Sequence, residues 1–159
     1  MSMMDMTERI RSQAYMYKLM PAEKAAELIH PGAKVGMSGF TPAGYPKAVP
    51  LALAQCMKHT PFQIDLWTGG SVGDEIDGAL SRVNGIRRRY PYQANAELRR
   101  HVNDGSTAYA DMHISILAQQ LREGFFGRLD IAVVEAAAIT ENGDLVPTTS
   151  IGITPAIVA

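Results

Sequence analysis

Short apolar runs along the chain alternate with amphipathic stretches, which is the pattern of strands separated by helices. Lys34 to Met37 and Gln63 to Trp67 are apolar enough to form buried strands, and each leads into a glycine-rich turn. Leu129 to Val134, apolar almost throughout after Asp130, is the clearest strand. Because strands that are apolar on both faces occur in parallel sheets covered by helices, we predict an α/β fold with an open, mainly parallel sheet.

The amphipathic stretches predict helices, and local signals mark where some elements end. Gly124 ends the helix before the clearest strand. Asn142-Gly143 predicts a hairpin within Ile139 to Val146, because both residues tolerate positive φ. The predicted helices cover Thr7 to Leu19, with Thr7 as the N-cap, Ala22 to Ile29, Pro46 or Pro50 to Lys58, Asp74 to Arg82, Ala94 to Val102 and Ile114 to Glu123.

Length and composition restrict the class of protein. The 159 residues suit one domain, and 47% hydrophobic with 19% charged residues is typical of a globular protein. A formal net charge of −1 gives no electrostatic basis for binding nucleic acid or an anionic membrane. No apolar run reaches the roughly 18 residues of a membrane span. The amino-terminal residues lack the apolar region of a signal peptide, so we expect a cytoplasmic protein.

Three local features qualify this picture. Arg87 to Arg89, with Arg99 and Arg100 nearby, could bind an anion, although a solvated surface is the simpler interpretation. Cys56 is the single cysteine and is interpreted as a packing residue, with no disulfide and no cysteine metal site. Thr148 to Ala159 is apolar without a polar tail, so we expect a truncated product of a longer polypeptide.

The glycine-rich segment after the first predicted strand carries the candidate chemistry. Gly39 and Gly44 allow sharp turns and close approach of a ligand, because they lack a Cβ. Ser38 places a hydroxyl just past the strand, and the helix that opens near Pro46 presents free N–H groups. This environment would suit a carboxylate, a phosphate or a thioester oxygen. A tight structural connection between strand and helix is the alternative.

The same segment resembles the amino-terminal signature of the class I coenzyme A transferases. The matching residues are Gly32, Val35 to Met37, Gly39, Phe40, Gly44 and Pro46. Pro31 stands where the signature usually has Asp or Asn, and Ser38 replaces the first glycine of a Gly-Gly pair. The Ser-Gly-Phe form is similar to the acetyl-CoA hydrolase/transferase branch of that family.

Later segments resemble the same branch in the same order. Thr68 to Ser71 is similar to its Thr-Gly-Ala-Ser turn, with Gly70 departing from the alanine. Tyr109, Asp111 and His113 match its Tyr-x-Asp-x-His segment. Further similar segments are Val134 to Ala136, Ile139 to Glu141 and Val146 to Thr148. The resemblance therefore extends over nearly the whole chain.

The resemblance implies the N-terminal domain of an enzyme that moves CoA between a short-chain acyl-CoA and a small carboxylate. It implies a glutamate nucleophile, and a glutamyl-CoA thioester, in a C-terminal part about twice as long as this chain. Coenzyme A is then a substrate, and no tightly bound cofactor or metal is expected. The substrate-binding residues implied or predicted here are Ser38, Gly39, Phe40, Gly44, Gly70, Ser71 and His113.

Several alternatives stay open at this point. His113 could be a hydrogen-bonded structural residue, and Glu135 is interpreted as structural although it follows an apolar strand. The full protein could be an acyl-CoA hydrolase, or the chain could be a non-catalytic module that pairs with another subunit through an open sheet edge. A dinucleotide-binding domain is weakly supported, because no Gly-x-Gly-x-x-Gly follows the first strand. We expect the chain alone to be inactive, and the full enzyme to be a homodimer.

Overall fold

The computed structural model describes residues 8–70 and 72–159, and its centre is a parallel sheet. Five strands pair in the order β4-β3-β2-β1-β5, and every pairing is parallel. The strands are β1 Lys34–Gly39, β2 Ile64–Gly69, β3 Ile86–Pro91, β4 Ala108–Tyr109 and β5 Ile131–Ala132. The predicted α/β fold with an open parallel sheet is therefore confirmed.

Helices connect the strands, and a separate antiparallel hairpin follows β5. The helices are α1 Gln13–Met16, α2 Ala22–Ala26, α3 Ala48–His59, α4 Asp77–Arg82, α5 Ala96–Asn103, α6 Ile114–Arg122 and α7 Thr154–Ile157. The hairpin pairs β6 Ala136–Ile139 with β7 Leu145–Pro147, and Gly143 in its turn has φ +91°. None of the described helices is long and apolar enough to cross a membrane.

Two hydrophobic cores form on opposite faces of the sheet, because successive side chains of a strand point to opposite sides. On the first face, α2 to α5 pack on alternate residues of β1 and β2, including Val35, Met37 and Leu66. On the second face, Trp67 packs with Leu117 of α6 and with the residues around α7. The sheet is thus covered by helices on both faces, as a parallel sheet requires.

The order of the strands creates a switch point between β1 and β5. From β1 the chain adds β2, β3 and β4 outward on one side, and it then returns to place β5 on the other side of β1. In such sheets, ligands bind beyond the carboxyl ends of the strands where the order reverses. The glycine-rich segment after β1 begins at this point of the sheet.

The arginine-rich segment agrees with the simpler interpretation except at Arg89. Arg87 to Arg89 lie in β3, an interior strand that the sequence pattern did not predict, where Arg87 and Arg88 are exposed and Arg89 is buried. Arg89 is 0% exposed and its guanidinium donates two hydrogen bonds of 2.9 Å to Asp77, which is equally buried. Arg87 pairs with Asp65. From the sequence alone, an arginine that is buried against a carboxylate cannot be distinguished from an arginine on the surface.

Other differences concern the lengths of elements. Thr7 to Leu19 was predicted as one helix, but the described part of this segment is helical at residues 8–9 and again only in the four-residue α1, and Thr7 itself lies outside the described residues. Ile10 instead forms a bridge with Ile139, and Arg11 N–H donates to Ile139 C=O, so hairpin contacts interrupt the helix. The strand predicted over Leu129 to Val134 forms a ladder only at Ile131–Ala132.

Removing one partner of the Arg89–Asp77 pair should strongly destabilise the domain. Asp77→Asn leaves a buried guanidinium uncompensated, which costs about 3–5 kcal/mol in the free energy of unfolding. The matched control is Asp74→Asn in the solvent-exposed Arg82–Asp74 pair, where the cost should stay below about 1 kcal/mol. Urea unfolding of the three proteins measures both values, and equal losses would contradict the structural importance of the buried pair.

Candidate functional site

The chain turns tightly where β1 ends. Phe40 N–H donates to Ala43 C=O at 3.0 Å, and Ala43 N–H donates back to Phe40 C=O at 3.2 Å. This turn requires positive φ at Thr41 (+52°), and Gly44 follows with φ +62°. A β-branched residue seldom adopts such a φ, so the turn is a strained point beside the switch in strand order.

A cover segment, residues 148–153, lies directly over this turn. Ile153 N–H donates to Ser38 Oγ at 2.8 Å, and Ser150 Oγ donates to Ala43 C=O at 2.8 Å. The approach is so close that a Cβ on Gly44 would overlap the backbone of Ser150. A Cβ on Gly152 would likewise overlap the carbonyl oxygen of Gly39. Gly44 and Gly152 therefore allow two backbone segments of this chain to approach each other closely.

This arrangement changes the roles expected for Ser38, Gly39 and Gly44. Ser38 is 1% exposed, and Gly39 and Gly44 are also buried, so none of the three presents an open surface to a ligand in this structure. Ser38 holds the cover segment through its hydroxyl. A direct contact of these residues with a substrate stays a prediction, and it would require the cover segment to move.

Phe40 and Gly70, which were assigned to one site from the sequence, lie close together in the structure. Phe40 is 59% exposed at the carboxyl edge of the sheet, and a Cβ on Gly70 would lie 3.4 Å from Phe40 Cδ2. Thr68 Oγ1 donates to Gly70 C=O at 3.0 Å and shapes this second turn. Ser71 lies outside the described residues. Phe40 is thus available to a ligand in this structure.

The contacts described for His113 are local. It is exposed immediately before α6, and its Nδ1 lies 2.7 Å from Ser115 Oγ. Tyr109, which ends β4, hydrogen-bonds to Asp111, and its pKa is raised mainly by burial. No described contact joins His113 to the turn at Phe40, so its assignment to the same site stays a prediction.

A polar network that sequence reasoning missed lies beside the turn. Lys47 Nζ donates to Glu135 Oε2 at 2.6 Å and to Tyr45 C=O at 2.9 Å, and it lies 4.2 Å from the centre of the Tyr45 ring. Glu135 also accepts a hydrogen bond of 2.7 Å from Thr148 Oγ1 at the start of the cover segment. Tyr45 donates to Glu75 Oε2 at 2.5 Å. The network thereby links the loops after β1, β2 and β5.

The pKa values in this network follow from its contacts. Burial, followed by the hydrogen bond to Glu75, raises the pKa of Tyr45 to about 12. Burial alone would raise the pKa of Glu135, but the hydrogen bonds from Lys47 and Thr148 and the charge of Lys47 together lower it. Glu135 is therefore an ionised carboxylate with both oxygens bonded, in agreement with the structural interpretation of its sequence position.

Comparison with known proteins gives consistent relatives. The model of the family described as "Acetyl-CoA hydrolase/transferase N-terminal domain" matches residues 1–159. Succinyl-CoA:acetate CoA-transferase of Clostridium kluyveri is 45% identical over 153 residues, which are 95% of this chain and 28% of that protein. An acetyl-CoA hydrolase of Yarrowia lipolytica is 38% identical over 165 residues, 95% of this chain and 32% of that protein. The chain thus spans less than a third of the length of these relatives.

A solved structure supports the fold alone. An acyl-CoA transferase from Escherichia coli O157:H7, in a thioester complex with CoA, superposes with a TM-score of 0.59. The superposition covers 66% of this chain and 22% of the other, at 17% sequence identity. At that identity the likeness describes the arrangement of strands and helices and carries no residue roles.

A methyl group at Gly44 should damage the domain more than one at Gly32. Both glycines have positive φ, but nothing lies within 4 Å of a Cβ on Gly32, whereas one on Gly44 overlaps Ser150. Gly32→Ala should cost about 1–2 kcal/mol for its backbone conformation. Gly44→Ala should cost a further ~1–3 kcal/mol for the overlap. Chemical denaturation measures the difference, and similar losses for both variants would exclude tight contact with the cover segment.

The Glu135 contacts should stabilise the domain at neutral pH and lose effect in acid. Because the pKa of Glu135 is lower in the folded chain than its ordinary value of 4.5, the stabilisation is complete above that value. It disappears as the pH falls through the lower, folded-state pKa. The free energy of unfolding of the native chain should thus exceed that of Glu135→Gln at pH 7, and the two should converge in acid. A gap that is independent of pH would contradict ionisation as its cause.

Proposed function

Because the chain belongs to the acetyl-CoA hydrolase/transferase family as an N-terminal domain, we propose that it forms the acid-binding part of a coenzyme A transferase. The full enzyme would move CoA between a short-chain acyl-CoA and a small carboxylate of the acetate or succinate kind. The observation that carries this proposal is the 45% identity, over 95% of the chain, to a protein named succinyl-CoA:acetate CoA-transferase.

The proposed reaction proceeds by covalent catalysis through a glutamate carboxylate. The carboxylate attacks the acyl-CoA thioester, the C–S bond breaks, and an acyl-glutamyl anhydride and the CoA thiolate result. The thiolate then attacks the glutamyl carbonyl, which releases the first carboxylate and leaves a glutamyl-CoA thioester. An incoming carboxylate repeats the two steps in reverse and leaves with CoA. Each step creates an oxyanion that needs hydrogen-bond donors held in place.

We assign the reactive glutamate to polypeptide beyond this domain. Glu135, beside the loop after β1, has both carboxylate oxygens hydrogen-bonded, one to Lys47 and one to Thr148. Glu75 accepts a hydrogen bond from Tyr45 through Oε2 and thereby helps to hold the loop. These contacts support a division in which this domain binds and another supplies the nucleophile.

Within this domain we propose that Phe40, above Gly70, contacts the substrate. Its exposed ring lies at the carboxyl edge of the sheet, where loops of parallel α/β folds bind ligands. A hydrocarbon chain or a thioester would find an apolar contact on this ring. Ser38 and the buried glycines would then act mainly by fixing the position of Phe40, and Ser71 and His113 remain candidate contacts from the resemblance.

Hydrolysis is the second candidate for the full enzyme. The 38% identity to an acetyl-CoA hydrolase supports it, because the same glutamyl-CoA intermediate yields hydrolysis when water is the acceptor. The transferase is favoured by the higher identity of the relative with that name. The proposed full enzyme acts as a homodimer in the cytoplasm with coenzyme A as its substrate.

A chimera tests the proposal directly. It consists of this chain joined to the part of the C. kluyveri transferase that follows the matched region. We expect the chimera to transfer CoA from succinyl-CoA to acetate, and the 159-residue chain alone to show no turnover. Thioester loss that is independent of acetate would instead identify a hydrolase. Robust turnover by the isolated chain would overturn the assignment of the nucleophile to another domain.

The same assay tests Phe40. We expect Phe40→Ala to lower kcat/KM of the chimera about tenfold, as loss of one apolar contact allows. Phe125→Ala is the matched control, because Phe125 is also exposed, at 71%, but lies in the turn after α6. Circular dichroism spectra of both variants check that they fold. Equal kinetic constants for the two variants would remove Phe40 from the site.

A further inference from the structure

Gly70 is a glycine that neither its backbone conformation nor its packing requires. All fourteen glycines of the chain lie in its described part. Eight of them have positive φ, and a Cβ on five others would overlap neighbouring atoms. Gly70 is the one that remains, because its φ lies outside the left-handed region and a Cβ there would meet its nearest described neighbour at 3.4 Å. A residue with a side chain would therefore fit at this position of the fold.

The space left at Gly70 lies beside the ring of Phe40. A Cβ on Gly70 would lie 3.4 Å from Phe40 Cδ2 and 3.9 Å from Phe40 Cε2, which are ordinary van der Waals distances. Without that methyl group, this edge of the ring faces a gap of about the same size. Gly70 is buried whereas Phe40 is 59% exposed, so the gap lies on the protein side of the ring.

The backbone of Phe40 is fixed, but its side chain is adjustable. Hydrogen bonds in both directions join Phe40 to Ala43, and Ser150 Oγ donates to the Ala43 carbonyl oxygen. In the described part of the chain, the Phe40 ring belongs to neither hydrophobic core and stacks on no other aromatic ring. An exposed side chain of this kind changes its orientation within nanoseconds. The ring can therefore turn into the gap at Gly70 while its backbone stays in place.

A ring that can turn in this way sets the size of the group that it contacts. With the ring turned toward Gly70, more room is left on its outer side for an apolar chain. A methyl group at position 70 would instead support the ring in its present position. One methylene more or less in an apolar site changes kcat/KM about 10- to 200-fold. The single methyl group that Gly70 lacks is thus sufficient to decide between acyl chains of different length.

We propose that Gly70 determines which acyl groups the site accepts: because it lacks a side chain, the Phe40 ring withdraws toward β2, and straight-chain acyl groups longer than acetyl, such as propanoyl and butanoyl, fit beside it. The inference rests on the proposed function, in which Phe40 contacts the substrate. It adds a substrate class to that function, since propanoate and butanoate become acceptors beside acetate.

The unfolding midpoint of the 159-residue chain tests whether the space exists. Gly70→Ala should leave the midpoint unchanged or raise it, because the methyl group makes ordinary contacts and restricts the unfolded chain. Gly73→Ala is the matched control from the same loop. Its Cβ would overlap the Tyr45 hydroxyl, so its midpoint should fall. Equal losses in the two variants would overturn the proposal.

The chimera with the remainder of the C. kluyveri transferase tests the specificity. The readout is the ratio of kcat/KM for butanoate to that for acetate, with succinyl-CoA as the donor. We expect Gly70→Ala to lower this ratio at least about tenfold. Gly32→Ala is the matched control, because nothing lies within 4 Å of its Cβ, and it should leave the ratio unchanged. An unchanged ratio in Gly70→Ala, or an equal fall in both variants, would overturn the proposal.

The outcomes separate this inference from the proposed function. A chimera that transfers CoA with the same ratio before and after Gly70→Ala keeps the function and overturns the inference. A chimera without transfer counts against the function, and fluorine NMR of the isolated chain then decides the inference. Of the four phenylalanines, labelled with fluorine, Phe40 gives the signal that is absent from Phe40→Ala.

In that titration, butanoate should shift the Phe40 signal of the native chain. Gly70→Ala should raise the half-saturating concentration of butanoate at least about tenfold relative to that of acetate. No shift with butanoate, or the same relative affinities in the two proteins, would overturn the inference.

Discussion

Direct contact between two backbone segments is the constraint on which the site depends. The turn after β1 and the cover segment approach so closely that neither Gly44 nor Gly152 has room for a Cβ. Hydrogen bonds from Ile153 N–H to Ser38 and from Ser150 to Ala43 hold this contact. Because the cover segment fixes the turn, Phe40 has a defined position at the switch point of the sheet. The local strain at Thr41 persists within this framework.

The charged groups around the turn join loops that are distant in sequence. Lys47 precedes α3, Glu135 follows β5 and Thr148 begins the cover segment, yet the three form one chain of hydrogen bonds. The hydrogen bond from Tyr45 to Glu75 extends this network to the loop after β2. The carboxylates are thus used to assemble the loops.

Elements that depend on local sequence patterns were predicted correctly, whereas contacts between residues distant in the sequence were not. β1, β2, α3 and the hairpin at Gly143 follow from apolar runs, helix signals and turn residues, and the structure confirms them. Arg89 was misinterpreted because the partner that allows its burial, Asp77, is twelve residues away and gives no periodic signal. Ser38 was singled out by its motif as a substrate contact, which stays a prediction, and its bond to Ile153 could not be predicted because it spans 115 residues. Phe40 and Gly70 meet as expected, since adjacent parallel strands end at the same edge.

The buried Arg89–Asp77 pair has a consequence for the history of this domain. Replacing only one of the two residues leaves the charge of the other buried without a partner. A protein with a single replacement should therefore fold poorly. Replacing both residues together with apolar residues of similar volume avoids the unpaired buried charge. In homologous proteins the two positions should therefore change in concert, and a lineage that has lost the arginine should also have lost the aspartate.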